Sequence, residues 1–202
     1  MRIRQAALWF AFAFVAIGPA AAQAQEFGVM ESAETINRGN FKIRLNPMLV
    51  FGKDGEDHEL GLAALLGYGF TRSFDLEGGV AFYDGTTFFG ATAEVWLIRE
   101  RPFDLSVVGG IHGRTGDRTA DLTGVDLTFL GSGHATDRLE FYTALDLAFE
   151  GIGNDADFRT VHLVPGIEYR ISDDLDFVAE VGLALNDRAR HYLSGGLAFY
   201  IR

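Results

Sequence analysis

Apolar and polar residues alternate in steps of two along most of this chain. The C-terminal segment shows the pattern at every second position, with Leu193, Gly195, Leu197, Phe199 and Ile201 apolar or glycine. Successive side chains of a β-strand point to opposite faces, so this period predicts strands with one apolar face. The 25 glycines disfavour long helices, because each glycine inside a helix costs about 1 kcal/mol relative to alanine. The chain is therefore predicted to be all-β.

Ten segments carry the alternation, and each is predicted to form one strand. They lie at about 41–46, 60–68, 76–83, 89–97, 105–112, 124–129, 139–150, 161–171, 177–186 and 193–201. Compact turns such as 71–75 alternate with more varied polar loops such as 114–121 and 151–160. This arrangement predicts an antiparallel up-and-down transmembrane β-barrel of ten strands. Eight or twelve strands are the alternatives, because the glycine-rich stretches could merge or lose strands.

The first residues have the features of a secretory signal peptide. Arg2 and Arg4 precede an apolar run, Gly18-Pro19 ends it, and Ala22-Gln23-Ala24 fits the cleavage pattern of small residues. The apolar run is too short to cross a bilayer as a helix. The predicted organisation is a signal peptide at 1–24, a lead-in at 25–39 and the barrel at 40–202.

Two stretches carry motifs of a known class of proteins. They are Ala33-Glu34-Thr35-Ile36-Asn37-Arg38-Gly39-Asn40-Phe41 and Gly67-Tyr68-Gly69-Phe70-Thr71-Arg72-Ser73-Phe74-Asp75-Leu76-Glu77. These resemble the lead-in and the strand-turn-strand hairpins of small outer-membrane β-barrel proteins of Gram-negative bacteria. The resemblance implies a location in the outer membrane, contact with its lipid, and a lead-in on the periplasmic side. It also implies that the barrel assembly machinery recognises the C-terminal strand, although the usual terminal aromatic residue is replaced here by Ile201-Arg202.

Charge and cysteine content exclude several functions. Removing the signal peptide takes away Arg2 and Arg4 and no acidic residue, so the net charge of −11 becomes −13. So acidic a chain is a poor partner for nucleic acid, which is bound through clustered Lys and Arg. The absence of cysteine excludes disulfides and thiolate metal sites. The acidic loops do not have the spacing of a calcium loop, so no metal and no other cofactor is predicted. The oligomeric state is left open.

Charged residues within the strands fall on the face opposite the apolar stripe. An Arg or Lys facing lipid costs about 2–4 kcal/mol at the midplane, so these residues are predicted to face the lumen. The predicted lumen charge network consists of Lys42, Arg44, Glu77, Glu94, Asp126, Glu140, Asp146, Glu150, His162, Glu168, Arg170 and Glu180. Small inward residues such as Gly67 and Gly182 are expected to leave space beside it. The network is either a salt-bridged plug or the lining of a narrow, cation-favouring lumen.

Three functional classes follow from this pattern. The first is a non-enzymatic membrane barrel that serves as a structural component or as a narrow pore for small solutes and cations. The second is a barrel that binds a ligand or partner through its surface loops at 114–121 and 151–160. The third is a soluble periplasmic, lipocalin-like barrel that holds an apolar ligand.

No enzyme is predicted, because the histidines lack a suitable catalytic partner. His191 and Ser194 are three positions apart on a strand and therefore point to opposite faces. His162 is interpreted as a hydrogen-bonded lumen residue, with either Asp146 or Glu180 as its cross-strand neighbour.

Overall fold

Ten strands make up the barrel in a computed structural model of the chain. The structure describes residues 27–53, 56–100, 103–116, 119–151 and 157–202, so the predicted signal peptide at 1–24 lies outside the described residues. The strands are β1 (Phe41–Val50), β2 (Glu59–Gly69), β3 (Phe74–Tyr83), β4 (Thr86–Glu100), β5 (Phe103–Gly116), β6 (Thr119–His134), β7 (Leu139–Glu150), β8 (Asp157–Ser172), β9 (Leu175–Ala184) and β10 (Tyr192–Ile201). Among the described residues there is no helix long and apolar enough to span a membrane.

Each strand pairs antiparallel with its neighbours in the chain, and β1 pairs with β10 to close the sheet. Phe41 lies opposite Ile201, and Val50 lies opposite Tyr192. The alternating C-terminal segment is therefore the strand that closes the barrel. The predicted ten-stranded up-and-down barrel is confirmed. We term the end where β1 begins and β10 ends the terminal rim, and the opposite end the loop rim.

Two connections at the loop rim are shorter than the sequence predicts, because the predicted loops 114–121 and 151–160 reduce to 117–118 and 151–156. At the terminal rim the connections are 70–73, 101–102, 135–138 and 173–174, and at the loop rim they are 51–58, 84–85, 117–118, 151–156 and 185–191. The stretches 114–116, 119–121 and 157–160 belong to strands. The apolar alternation stops at these strand ends, whereas backbone pairing continues beyond it. The loops on which a surface-binding function would depend are therefore reduced to a few residues.

Large apolar side chains cover the outer face of the barrel. Exposed examples on successive strands are Leu45, Leu62, Val80, Phe89, Ile111, Phe129, Leu145, Leu163, Val181 and Leu193. Aromatic rings contact one another at the terminal rim, where Phe41 and Tyr68 have ring centroids 4.8 Å apart. An apolar band with aromatic residues at its edge is typical of a barrel that faces lipid. A soluble lipocalin-like barrel needs the opposite arrangement of faces, so that alternative is not retained.

Residues 27–40 are here termed the lead-in segment, which runs inside the barrel as far as Ile36, whereas Asn37, Arg38 and Gly39 are exposed at the terminal rim. The sequence places this stretch outside the barrel on the periplasmic side, whereas in the structure Met30 and Ala33 are 1% and 0% exposed. At Gly39, with φ of 86°, the chain turns at the terminal rim and enters β1. The physical reason is space: eight strands enclose an interior that side chains just fill, and ten strands enclose more. The extra room accommodates an extended piece of chain.

Candidate functional site

A single carboxylate on β9 holds the backbone of the lead-in segment. Glu180 accepts hydrogen bonds from Val29 N (3.0 Å), Met30 N (2.7 Å), Tyr142 Oη (2.8 Å) and Tyr192 Oη (3.0 Å). Gly28 and Met30 have positive φ values of 69° and 51°, a conformation that can aim consecutive N–H groups at one anion. Because Glu180 is buried, these four donors replace the water that its carboxylate loses on folding.

Four buried charged residues beside Glu180 form what we term the central cluster: Glu31, Lys42, Arg44 and Glu77. Arg44 Nη2 pairs with Glu77 and lies 3.5 Å from Glu31, while Lys42 Nζ lies 3.4 Å from Glu31 and 3.7 Å from Glu77. Two formal positive charges thus face two formal negative charges. Buried ions need such partners, because desolvation alone is strongly unfavourable.

Arg44 also binds the lead-in backbone directly. Its Nη1 donates to the carbonyl oxygens of Val29 (2.8 Å) and Met30 (2.9 Å). The same two residues therefore donate through their N–H groups to Glu180 and accept through their carbonyls from Arg44. Glu180 on β9 therefore binds the N–H groups of this part of the segment, and Arg44 on β1 binds its carbonyl groups.

The lead-in segment is fixed again near the terminal rim. Asp75 Oδ2 accepts a hydrogen bond from Ile36 N at 2.6 Å, and Ser132 Oγ accepts one from Ala33 N at 3.1 Å. The Ile36 side chain lies over Gly67, where any Cβ would collide with it. These contacts continue the attachment along the segment to the point where the chain leaves the lumen.

Some small inward residues do not leave the empty space that the sequence suggests, whereas Gly79 lines a cavity. Tyr142 lies opposite Gly166 and Tyr192 opposite Gly182 in the strand register. A Cβ added at either glycine would collide with the tyrosine ring. Glycine at these positions therefore makes room for the two rings whose hydroxyl groups donate to Glu180.

The other side of the lumen borders a cavity of about 70 Å³. Its lining includes Thr92 on β4, His112 on β5, Asp126 on β6 and Asp146 on β7. His112 Nδ1 lies 2.7 Å from Asp126 Oδ2. The Asp126 side chain keeps 26% of its surface exposed. A space of this volume has room for water beside Asp126 and Asp146, although much of its lining is apolar.

The twelve predicted lumen residues occupy inward-facing positions but do not form one network. Around the lead-in segment lie Lys42, Arg44, Glu77 and Glu180; toward the loop rim lie Asp126, Asp146, Glu150 and His162; toward the terminal rim lie Glu94, Glu140, Glu168 and Arg170. Arg170 is exposed. The register puts His162 opposite Asp146, whereas Glu180 lies opposite Gly166. His162 Nε2 is 2.9 Å from the carbonyl oxygen of Arg190.

The sequence pattern does not identify two residues through which the lead-in segment is attached to the wall, Glu31 within the segment and Asp75 on β3. Glu31 lies outside the strands, and Asp75 stands at a strand entrance, where aspartate is an ordinary turn residue. The sequence does contain an indication of Glu31. Lys42 and Arg44 are both inward-facing cations on β1, and more than one acidic side chain is required to balance their charge. Apolar residues in the lead-in, such as Val29 and Ile36, are a second signal that this segment is buried.

Comparison with known proteins places the fold in context. The family model described as outer membrane protein beta-barrel domain matches residues 10–194. No curated protein matches the chain. Among solved structures, the KdgM porin is 13% identical with a TM-score of 0.46, covering 80% of this chain and 99% of the porin. A de novo designed transmembrane β-barrel is 13% identical with a TM-score of 0.44, covering 83% and 99%. Ail, the attachment invasion locus protein of Yersinia pestis, is 11% identical with a TM-score of 0.32, covering 81% and 99%.

Proposed function

Since this chain belongs to the outer membrane protein β-barrel domain family, we propose that it is an outer-membrane barrel closed by its own lead-in segment. With the segment in place, the barrel passes neither ions nor small solutes. With the segment displaced, it becomes a narrow pore that favours cations. In this proposal the terminal rim faces the periplasm, because both termini of a ten-stranded meander lie on one side.

The observation that carries the proposal is the burial of the lead-in segment in the lumen. The segment crosses the interior from Phe27, which lines the cavity between β2 and β7, to Gly39 at the terminal rim. Its contacts with Glu180, Arg44 and Asp75 are hydrogen bonds to charged groups, which contribute about 1.5–3 kcal/mol each. A segment held by several such bonds stays in the lumen at equilibrium.

The selectivity of the displaced state follows from the inward side chains of the wall. Acids on the inner wall include Asp75, Glu77, Glu94, Asp126, Asp146, Glu150 and Glu180, whereas the buried cations there include Lys42, Arg44 and Arg114. A narrow channel lined mainly by carboxylates raises the local concentration of cations and repels anions.

The test is conductance in planar lipid bilayers. The chain beginning at Gln25 is compared with one beginning at Arg38, after heat-modifiable gel migration shows that both are folded. We expect no conductance steps from the first, and discrete steps from the second with a reversal potential that indicates cation preference in a KCl gradient. Stable steps from the first chain contradict the closed barrel, and a folded but silent second chain contradicts the pore.

A second variant separates plugging from chain length. Replacing Val29, Met30 and Ile36 together by serine keeps the segment but removes its buried apolar side chains. We expect intermittent conductance steps, because the segment then leaves the lumen part of the time.

A further inference from the structure

Three side chains with metal-binding chemistry meet where the lead-in segment passes the ends of β6 and β7. His134 is the last residue of β6 and lies opposite Glu140 of β7 in the register. Glu34 approaches from the lead-in segment, with Oε1 3.3 Å from His134 Nε2. Glu140 Oε2 lies 3.3 Å from His134 Nδ1. One ligand atom from each residue lies within 4.8 Å of the others, so we term these residues the rim triad.

Several acidic side chains surround the rim triad, and two cations, Arg138 and Arg170, border the same hollow. Glu168 lies opposite Glu140 across β7 and β8, so three carboxylates surround one imidazole. Partial burial raises the pKa of Glu34 above its ordinary value. Independently, Oε1 of Glu140 is buried on a side chain only 9% exposed and forms no hydrogen bond of normal geometry among the described residues, although the hydroxyl groups of Ser32 and Ser132 lie near this carboxylate. A buried carboxylate oxygen in this condition is costly unless a cation or a donor satisfies it.

We propose that Glu34, His134 and Glu140 bind a divalent transition-metal ion of the Zn²⁺ type. An imidazole nitrogen with two carboxylate oxygens suits Zn²⁺, whereas Ca²⁺ and Mg²⁺ prefer sites made only of oxygen. Zn²⁺ takes both ligand types at about 2.0–2.2 Å. Glu34 faces Nε2 of His134 and Glu140 faces Nδ1, so the ion binds one ring nitrogen and the carboxylate on the other side has to rotate toward it. The His134 and Glu34 side chains are 22% and 35% exposed, which leaves an entry path from the terminal rim.

The ion would connect two parts of the molecule. Glu34 belongs to the lead-in segment, while His134 and Glu140 belong to the wall. Binding of the ion depends only on the rim triad. Its effect on the retention of the lead-in segment in the lumen rests on the proposed function, a barrel closed by that segment. Zn²⁺ in the triad would add one more attachment of the segment to those through Glu180, Arg44, Ser132 and Asp75.

The experiment is calorimetric titration of ZnCl₂ into the folded chain beginning at Gln25 in detergent micelles. We expect one ion per chain, bound with an affinity at least about tenfold weaker in His134→Ala and in Glu140→Gln. Loss of even an outer-shell partner of a metal ligand typically lowers metal affinity by about this factor. His58→Ala is the matched control, because His58 lies in the 51–58 connection at the loop rim. Its affinity should equal that of the parent chain.

Two results would overturn the site: a titration without heat above the buffer blank, or the same affinity in His134→Ala as in the parent. Labelling gives a second readout, because the chain has no cysteine and Val29→Cys, in the lumen five residues from Glu34, is then unique. A cysteine at position 32 is avoided, because Ser32 lies beside Glu140 and a thiolate there would itself bind Zn²⁺. Zn²⁺ should slow maleimide labelling at position 29 in the parent and leave the rate unchanged when Glu34→Gln is added. Equal slowing with and without Glu34→Gln also contradicts the site. Conductance of the parent chain is recorded separately with EDTA, so failure of the metal site is distinguishable from failure of the closed barrel.

Discussion

The two sides of the lumen accommodate buried charge in different ways. On the side of β9, β10 and β1, Glu180 and Arg44 contact the backbone of the lead-in segment, and the central cluster balances its own charges. On the side of β4, β5 and β6, Asp126 borders a cavity and lies 2.7 Å from His112. On the first side the lead-in segment supplies hydrogen-bond partners to the buried charged groups, whereas on the second side the cavity has room for water beside them. The lead-in segment is therefore held by the wall of β9, β10 and β1 at Val29 and Met30, and by Asp75 on β3 and Ser132 on β6 nearer the terminal rim.

This difference assigns two roles to the inward charges, retention of the lead-in segment and interaction with ions, which the sequence pattern does not distinguish. Charges that bind the lead-in segment should contribute strongly to its retention and to the free energy of unfolding. Charges on the β4–β6 side of the cavity, such as Asp126, should contribute little to either and should act mainly on ions that enter the lumen. Substitutions on the two sides can therefore be compared directly.

The largest effect is expected from Arg44→Met. The substitution leaves Glu77 and Glu31 without their shared guanidinium and two lead-in carbonyls without a donor. Breaking a buried ion pair costs about 3–5 kcal/mol. We expect the free energy of unfolding, measured by reversible urea titration in lipid vesicles, to fall by about this amount.

Arg44→Lys is the control for this prediction. It keeps the charge but cannot make the forked contacts of a guanidinium, so an intermediate loss is expected. A Met variant as stable as the parent would show that the central cluster does not support the barrel.

A smaller effect is expected from Glu180→Gln. One of the two carboxylate oxygens becomes an NH₂ group, which faces two donors that previously had an acceptor. A buried donor without an acceptor costs about 1–3 kcal/mol. Maleimide labelling of Ser32→Cys should become faster, because the segment leaves the lumen more often. An unchanged labelling rate would mean that Glu180 is not what retains the segment.

Much of the barrel is predictable from the sequence because lipid imposes the period of two. Outward residues such as Leu163 and Val181 must be apolar, and charges such as Glu180 must then point inward. The closing strand, the strand number and the faces follow from this constraint. The strand ends near Gly116 and Asp157 cannot be predicted in this way. Backbone pairing continues there beyond the part of the strand whose outer face must be apolar.

The lead-in segment is harder to predict, because its place depends on the space that ten strands enclose. Nothing in a linear period indicates that Val29 and Met30 will meet Glu180, about 150 positions later in the chain. The neighbour of His162 is equally hidden, because it depends on the register of β7 against β8. The charge imbalance at Lys42 and Arg44 is the part of the site that a closer inspection of the sequence can detect.

Steric substitution tests the fit between the segment and the wall. Gly67→Val places a side chain where Ile36 lies, and overpacking costs about 1–3 kcal/mol. Gly109→Val is the matched control, because no heavy atom lies within 4 Å of a Cβ there and surface changes usually stay within about 0.5 kcal/mol. Urea titration should separate the two variants, and equal losses would contradict the packing of Ile36 on β2.

The smallest effect on stability is expected from Asp126→Asn, on the open side of the lumen. The Asp126 side chain is 26% exposed to the cavity, and asparagine can still hydrogen-bond to His112. Because this hydrogen bond survives the change and Asp126 is partly exposed, the free energy of unfolding should fall by no more than about 1 kcal/mol. In the chain beginning at Arg38, however, the same substitution removes a carboxylate that borders the ion path. Its cation preference, measured from the reversal potential in a KCl gradient, should decrease while the unfolding curve barely moves. A large loss of stability with unchanged selectivity would show instead that both sides of the lumen serve to hold the barrel together.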